Sequence, residues 1–235
     1  MLENLNLKNV LFLDIETVPQ YGTFEEVPVE FSKLWEKKTQ TIRKEEESLE
    51  VSYRRAGIYA EFGKIICISC GYFTSENKFR IKSFFGHNEK KLLLEFSEVL
   101  LKYFNSPDKF LCAHNGKEFD FPFLCRRMVI HQLALPFILD TAGKKPWEVS
   151  HLDTMELWKF GDYKSYTSLN LLALILGIPT PKDDIDGSMV WKVYWEEKNL
   201  ERIVTYCQKD VLTVAQIFRK FRREDLISTE EMEIV

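Results

Sequence analysis

Near the start of the chain, the segment NVLFLDIE is an unbroken apolar run that closes on two acids. Its length and composition predict a buried strand over residues 10–15. Such a strand needs cover on both faces, and the downstream segments supply it. Residues 64–73 and 78–85 are β-rich, with the turn-like SEN between them, which predicts a hairpin. Leu92, Leu93, Phe96, Leu100 and Tyr103 recur at helical spacing and predict a helix over 89–104. FLCAHN reads as a short buried strand ending near Ala113, and a helix is expected over 119–131. Helices are expected around 154–158 and 168–176, and across 189–222. Early strands, a hairpin that breaks any regular βαβ order, and a helical C-terminal half predict an α/β fold. The expected architecture is a mixed sheet flanked by helices.

Residues 20–60 interrupt this pattern. KLWEKKTQTIRKEEESLE is of mixed charge, with Phe31, Leu34, Trp35, Ile42 and Leu49 at roughly helical intervals. It is expected to form a helical insertion within one domain spanning residues 1–235. Lys37, Lys38, Arg43 and Lys44 make it a candidate guide for a phosphate backbone. The pairs Lys144–Lys145 and Lys159–Lys164, the latter with Tyr163 and Tyr166, are further candidates.

With 32 basic against 36 acidic residues the net charge is −4, so a grip on nucleic acid through bulk positive charge is not expected. A local basic groove or bound cations would have to supply what is missing. No apolar run reaches the roughly 18 residues of a membrane span, and the N-terminus has no signal-peptide pattern. Membrane partners are therefore not expected. The five cysteines, an odd number and mostly in apolar segments, read as reduced thiols of a cytoplasmic protein. Cys67 and Cys70 form a CxxC inside a strand-like run, with no second pair at zinc-ligand spacing, and are expected in the core.

Three sets of side chains carry chemistry. Asp14 and Glu16 stand two apart at the end of the first strand and so project from one face. Adjacent acids raise each other's pKa unless a cation neutralises them, and such oxygen-rich sites suit Mg²⁺ or Mn²⁺. Asp120 opens a helix after the turn at Asn115–Gly116, with His114, Asn115 and Phe119 beside it. Tyr206 and Asp210 are four apart on a C-terminal helix and flank its apolar stripe. Asp153 is expected to cap a helix rather than to bind metal.

In this order, DxE on the first strand, N-x₃-F-D at a later strand-to-helix turn and YxxxD on a C-terminal helix resemble the DEDD superfamily of 3′–5′ exonucleases. Thr205 stands where the histidine branch would carry its histidine, so the resemblance is to the tyrosine (DEDDy) branch. Within it, DDIDGSMVWKVYWEEKNLERIVTYCQKDVLTV is similar to the predicted exonucleases related to the proofreading domain of family-B DNA polymerases. The resemblance implies an RNase H-like fold and phosphodiester hydrolysis with two Mg²⁺ or Mn²⁺ ions. It implies that Asp14 bridges the ions and that Glu16 and Asp210 complete the site of the ion holding the attacking water. Asp120 would support the second ion through a water molecule, and Tyr206 would orient the nucleophilic water. Asn115 and Phe119 match positions that contact the terminal nucleotide. The implied substrate is the 3′ end of single-stranded DNA or a 3′ overhang. An exoribonuclease and a non-catalytic nucleic-acid-binding module are the alternatives.

Overall fold

A computed structural model describes residues 2–44, 46–162, 164–179 and 185–235. Tyr163, and the first two aspartates of the DDIDG segment, lie outside the described residues. The strands are β1 (Val10–Pro19), β2 (Gly63–Phe73), β3 (Phe79–Phe85), β4 (Phe110–Ala113), β5 (Leu152–Asp153) and β6 (Met232–Ile234). Among the described residues they form one sheet in the order β5-β4-β1-β2-β3-β6. β1 pairs antiparallel with β2, and β2 with β3, whereas β4, β5 and β6 join in parallel. The sheet is mixed and flanked by helices, as an RNase H-like α/β fold requires.

β1 is the central strand, and its alternation sorts the core. Leu11, Leu13 and Ile15 face one way, with Leu93, Phe96 and Leu100 of α3 (Glu89–Tyr103) and Phe123, Leu124 and Met128 of α4 (Asp120–Ile130). Val10 and Phe12 face the other way, against Val211, Val214 and Phe218 of α8 (Leu200–Phe221). Each face thus removes its apolar side chains from water at roughly 25 cal/mol per Å², which makes β1 the least movable element of the molecule. Asp14 and Glu16 continue the α8 face beyond Phe12.

The hairpin, the helix after it and the two helices around 154–158 and 168–176 form as expected; the last two are α5 (Thr154–Lys159) and α6 (Leu169–Ile175). Three expectations need correction. The first strand continues to Pro19, because the β2 partner runs on to Gly63 through a bulge between Glu16 and Thr17. The helix expected across 189–222 is two helices, α7 (Val190–Trp195) and α8. The chain breaks between them at Lys198, which takes a left-handed φ of 55°, and the Asn199 side chain then caps α8 by accepting from Arg202 N. The insertion is more than one amphipathic helix. It holds α1 (Val29–Thr39) and α2 (Leu49–Tyr53) around an aromatic core of its own. Trp35 is its centre, edge-on to Tyr53, Tyr59 and Phe62 and bonded through Nε1 to Ser52 Oγ (3.0 Å). Of the residues at helical spacing, Phe31, Leu34 and Ile42 remain exposed.

One buried ion pair ties the insertion to the sheet. Arg127 of α4 makes two bonds to Glu89 at the start of α3 (Nε to Oε1 2.9 Å, Nη2 to Oε2 2.5 Å) and a third to the Ala60 carbonyl (2.8 Å). Glu89 also accepts from the Ile65 amide of β2 (2.7 Å) and pairs with His131 Nε2 (2.7 Å). Both charges are almost wholly buried, so each depends on the other. Arg127→Ala strands the Glu89 carboxylate and is expected to cost about 3–5 kcal/mol, read as a lowered urea midpoint. A loss below about 1 kcal/mol would mean that solvent reaches the pair and that it does not hold the insertion.

Candidate active site

Four acids and a tyrosine converge where β1 leaves the core. Asp14 and Glu16 lie opposite Ser69 and Cys67 of β2, and the bulge follows directly after Glu16. Bulges of this kind re-aim side chains at the edge of a site. Glu16 is 7% exposed, and Asp14 is half-buried with its Oδ2 shut off from water and from every donor among the described residues.

Asp120 arrives from α4. β1 pairs with β4 only from Val10 to Phe12, so the Ile15 amide has no strand partner on that side. Asp120 Oδ1 accepts it (3.1 Å) and so draws the start of α4 against β1. The turn before it is built for this approach. Asn115 sits at a left-handed φ of 63°, which asparagine tolerates, and a Cβ on Gly116 would collide with Ala113 and the Phe121 ring. Asp153 fastens the turn, accepting from the amides of Asn115 (3.0 Å) and Lys117 (3.1 Å) while capping α5 at Met155 (2.9 Å) and Glu156 (3.2 Å). Its expected capping role is therefore present, with a second one added. His114 is bound between Thr154 Oγ1 and the Thr167 carbonyl (2.9 Å each) and is spent on structure.

α8 supplies the rest. Its buried stripe includes Ile203, Cys207, Val211 and Val214, and Tyr206 and Asp210 lie at the margin, close enough for the Asp210 charge to act on the Tyr206 hydroxyl. Thr205 is exposed, its hydroxyl bonded back to the Glu201 carbonyl (3.0 Å), so the tyrosine and not position 205 meets the acids.

The electrostatics agree with the geometry. Asp14 is held well above the usual carboxylate range, by burial first and then by the charges of Glu16, Asp120 and Asp210. Glu16 is raised in the same direction by burial, with Asp210 the largest of its charged neighbours. Asp120 is pushed up to about 7 by burial, against the opposing hydrogen bond from Ile15. No ion pair with Asp14, Glu16 or Asp120 occurs among the described residues. Three buried acids with no ion pair among the described residues, one of them keeping a buried oxygen with no donor there, fit hard divalent cations such as Mg²⁺ or Mn²⁺.

Sequence reading placed Cys207 only in the core, yet its Sγ, Asp14 and Glu16 bring ligand atoms within 4.8 Å of one another. The thiol is engaged, however. It donates to the Asp14 carbonyl (3.4 Å) and contacts Cys67, and burial raises its pKa well above the ordinary value. Cys67 and Cys70 lie on opposite faces of β2, in separate clusters, so they cannot share a metal. No helix among the described residues is long and apolar enough to cross a membrane.

Residues 58–233 match the family described as predicted 3′–5′ exonucleases related to the exonuclease domain of PolB. The chain belongs to that family. The match includes Asp120, Tyr206 and Asp210, and the sheet adds Asp14 and Glu16 from upstream of it. The activity predicted for that family is exonucleolytic, which implies a nucleic-acid substrate. Among solved structures the chain is similar to a family B DNA polymerase from the hyperthermophilic archaeon Pyrobaculum calidifontis, at 16% identity and a TM-score of 0.48. That alignment covers 88% of this chain and 24% of the polymerase, so the chain spans about a quarter of its length. No curated protein sequence matches the chain.

The raised acids predict a pH signature for protein stripped of metal. Asp120 has an ordinary value near 3.9 when unfolded and about 7 when folded, so between those values the folded state binds the extra proton. That stabilisation is complete below pH 4 and is lost as pH rises through 7. In EDTA, wild type should lose more thermal stability between pH 5 and pH 8 than Asp120→Asn does, and Mn²⁺ should restore it at pH 8. Parallel pH profiles for the two proteins would refute the linkage.

Proposed function

We propose that the chain is a metal-dependent 3′–5′ exonuclease of the DEDDy type, acting on the 3′ end of single-stranded DNA or a 3′ overhang. The supporting observation is the convergence of Asp14, Glu16, Asp120 and Asp210 at the end of β1, with Tyr206 within reach of their charges. Asp14, Glu16 and Asp210 would hold one divalent ion, with Asp14 shared between it and a second ion that Asp120 supports. Bound Mg²⁺ or Mn²⁺ supplies acidification of a water molecule and charge stabilisation for the attacking and leaving oxygens.

The protein's own groups do the positioning. Burial, followed by the charges of Asp210, Glu16 and Asp14, raises Tyr206 far above its ordinary value, so it keeps its proton at every working pH. It therefore orients a nucleophilic water rather than acting as the base. Its position is fixed by a long helix whose apolar stripe is locked to the sheet. Asn115 and Phe119 are assigned to the terminal nucleotide. Phe119 lines a cleft of about 460 Å³ together with Glu16, and Asn115 Oδ1 has no partner among the described residues.

The test is digestion of matched 5′-labelled DNA and RNA oligonucleotides with Mg²⁺, Mn²⁺ or EDTA. Shortening from the 3′ end is expected with DNA and either ion, and none in EDTA. Asp14→Asn and Asp210→Asn should each abolish activity, roughly a thousandfold or more, while keeping wild-type circular dichroism. Tyr206→Phe should cost less, about ten- to a hundredfold. Wild-type rates in Asp14→Asn would sink the assignment, and a strong preference for the RNA would turn it to an exoribonuclease.

A further inference from the structure

The cleft beside Glu16 has a cationic wall that the acid cluster does not use. Arg54, Arg55 and Ile58 come to it from the insertion, Ser188 from the turn before α7, Trp191 from the first turn of α7, and Phe119 from the N-cap of α4. The two arginines differ. Arg55 is spent on Glu47 (2.8 Å). Arg54 is exposed, with no carboxylate partner among the described residues, and its guanidinium carbon lies 4.7 Å from the centre of the Trp191 ring. Stacking on an indole holds a guanidinium in place while leaving its edge donors available. The Trp191 Nε1 donor is itself buried and has no partner among the described residues.

Arg54 and Trp191 also border a second cavity, of about 400 Å³, whose rim carries Glu25, Glu26, Glu50 and Glu196. The stacked pair is thus a partition with four carboxylates behind it and the Glu16 cleft in front. The four carboxylates, offset only by Lys198 on that rim, disfavour a polyanion behind the pair, whereas the cleft in front leads to the candidate active site.

We propose that Arg54, positioned by Trp191, binds a backbone phosphate of the single strand entering the acid site, which makes the 20–60 insertion part of the substrate path. The proposal rests on the exonuclease reading for the identity of the strand. It replaces Lys37, Lys38, Arg43 and Lys44, the bases that the sequence suggested, none of which lines this cleft; Lys38 lies over the Tyr59 ring.

The test uses the full chain with a single-stranded dT₁₀ probe. Steady-state digestion in Mn²⁺ and direct binding in Ca²⁺ are each measured across a salt series. Arg54→Ala should raise KM and Kd about tenfold, with the loss in KM rather than kcat, and should flatten the log–log salt slope by about 0.7, the share of one phosphate on a single strand. Arg54→Lys keeps the charge and should recover most of the salt slope. If Arg54→Ala leaves KM, Kd and salt slope at wild-type values, the assignment is overturned and the exonuclease reading stands. It is equally overturned if the variant lowers melting temperature and kcat without changing Kd, since the pair is then only a brace. If wild type binds dT₁₀ with this Arg54 dependence but digests no end, the exonuclease reading falls and the phosphate site remains.

Discussion

The constraint around which the molecule is arranged is the burial of several carboxylates in one place, of which Asp14, Glu16 and Asp120 have no ion pair among the described residues. Each acid taken from water costs free energy, and each neighbour of like charge adds to it. A flexible scaffold would relax by spreading them apart. Here they are carried by the central strand, by the first residue of α4 and by the longest helix, and all three elements are anchored in apolar layers on opposite faces of the sheet. The repulsion is held by packing, and the site is left in a state that cations relieve.

The buried acids divide into two kinds by how completely they are satisfied. Asp153 accepts four backbone amides, and Glu89 is met by a guanidinium, a histidine and the Ile65 amide. These two are hubs of structure, and neither needs a ligand. Asp14 keeps an oxygen with no donor, and Asp120 spends one oxygen on the Ile15 amide. Sequence spacing alone does not separate the two kinds, because Asp153 and Asp120 both stand at the start of a helix. The difference lies in where the amide donors fall, which is a property of the folded turn at residues 114–117.

Local periodicity sets the limit of what is legible in the sequence. The DxE pair on one face, the Tyr206–Asp210 pair and the hairpin depend on it, and all form as read. The aromatic core of the insertion is hidden from it because Trp35 packs on Tyr53, Tyr59 and Phe62, which come from a short helix and from irregular chain. β5 has two residues and β6 three, too few for any alternation to register. β6 forms because Gln216 clamps Ile227 through two bonds (2.8 and 2.9 Å) and turns the tail back along β3. Cys207 reads as one member of an apolar stripe; its closeness to Asp14 and Glu16 arises only when α8 crosses β1.

The break between α7 and α8 shows how a local irregularity sets the shape of the cleft. Were the helix continuous, Trp191 would lie fifteen residues from Tyr206, about 22 Å along one axis and away from the acids. The left-handed turn at Lys198 instead frees α7 to pack Val190, Val193 and Tyr194 on Val18 and Ile66. Trp195 then bonds the Pro19 carbonyl at the far end of β1 (3.1 Å). Trp191 is thereby brought to the mouth of the site, on the same side as Glu16 and Phe119, where the insertion delivers Arg54. Two segments that lie outside the alternating core, one after β1 and one before α8, need each other to form this wall. Neither has a strong apolar period of its own, because each is shaped by contact with the other and with the end of β1.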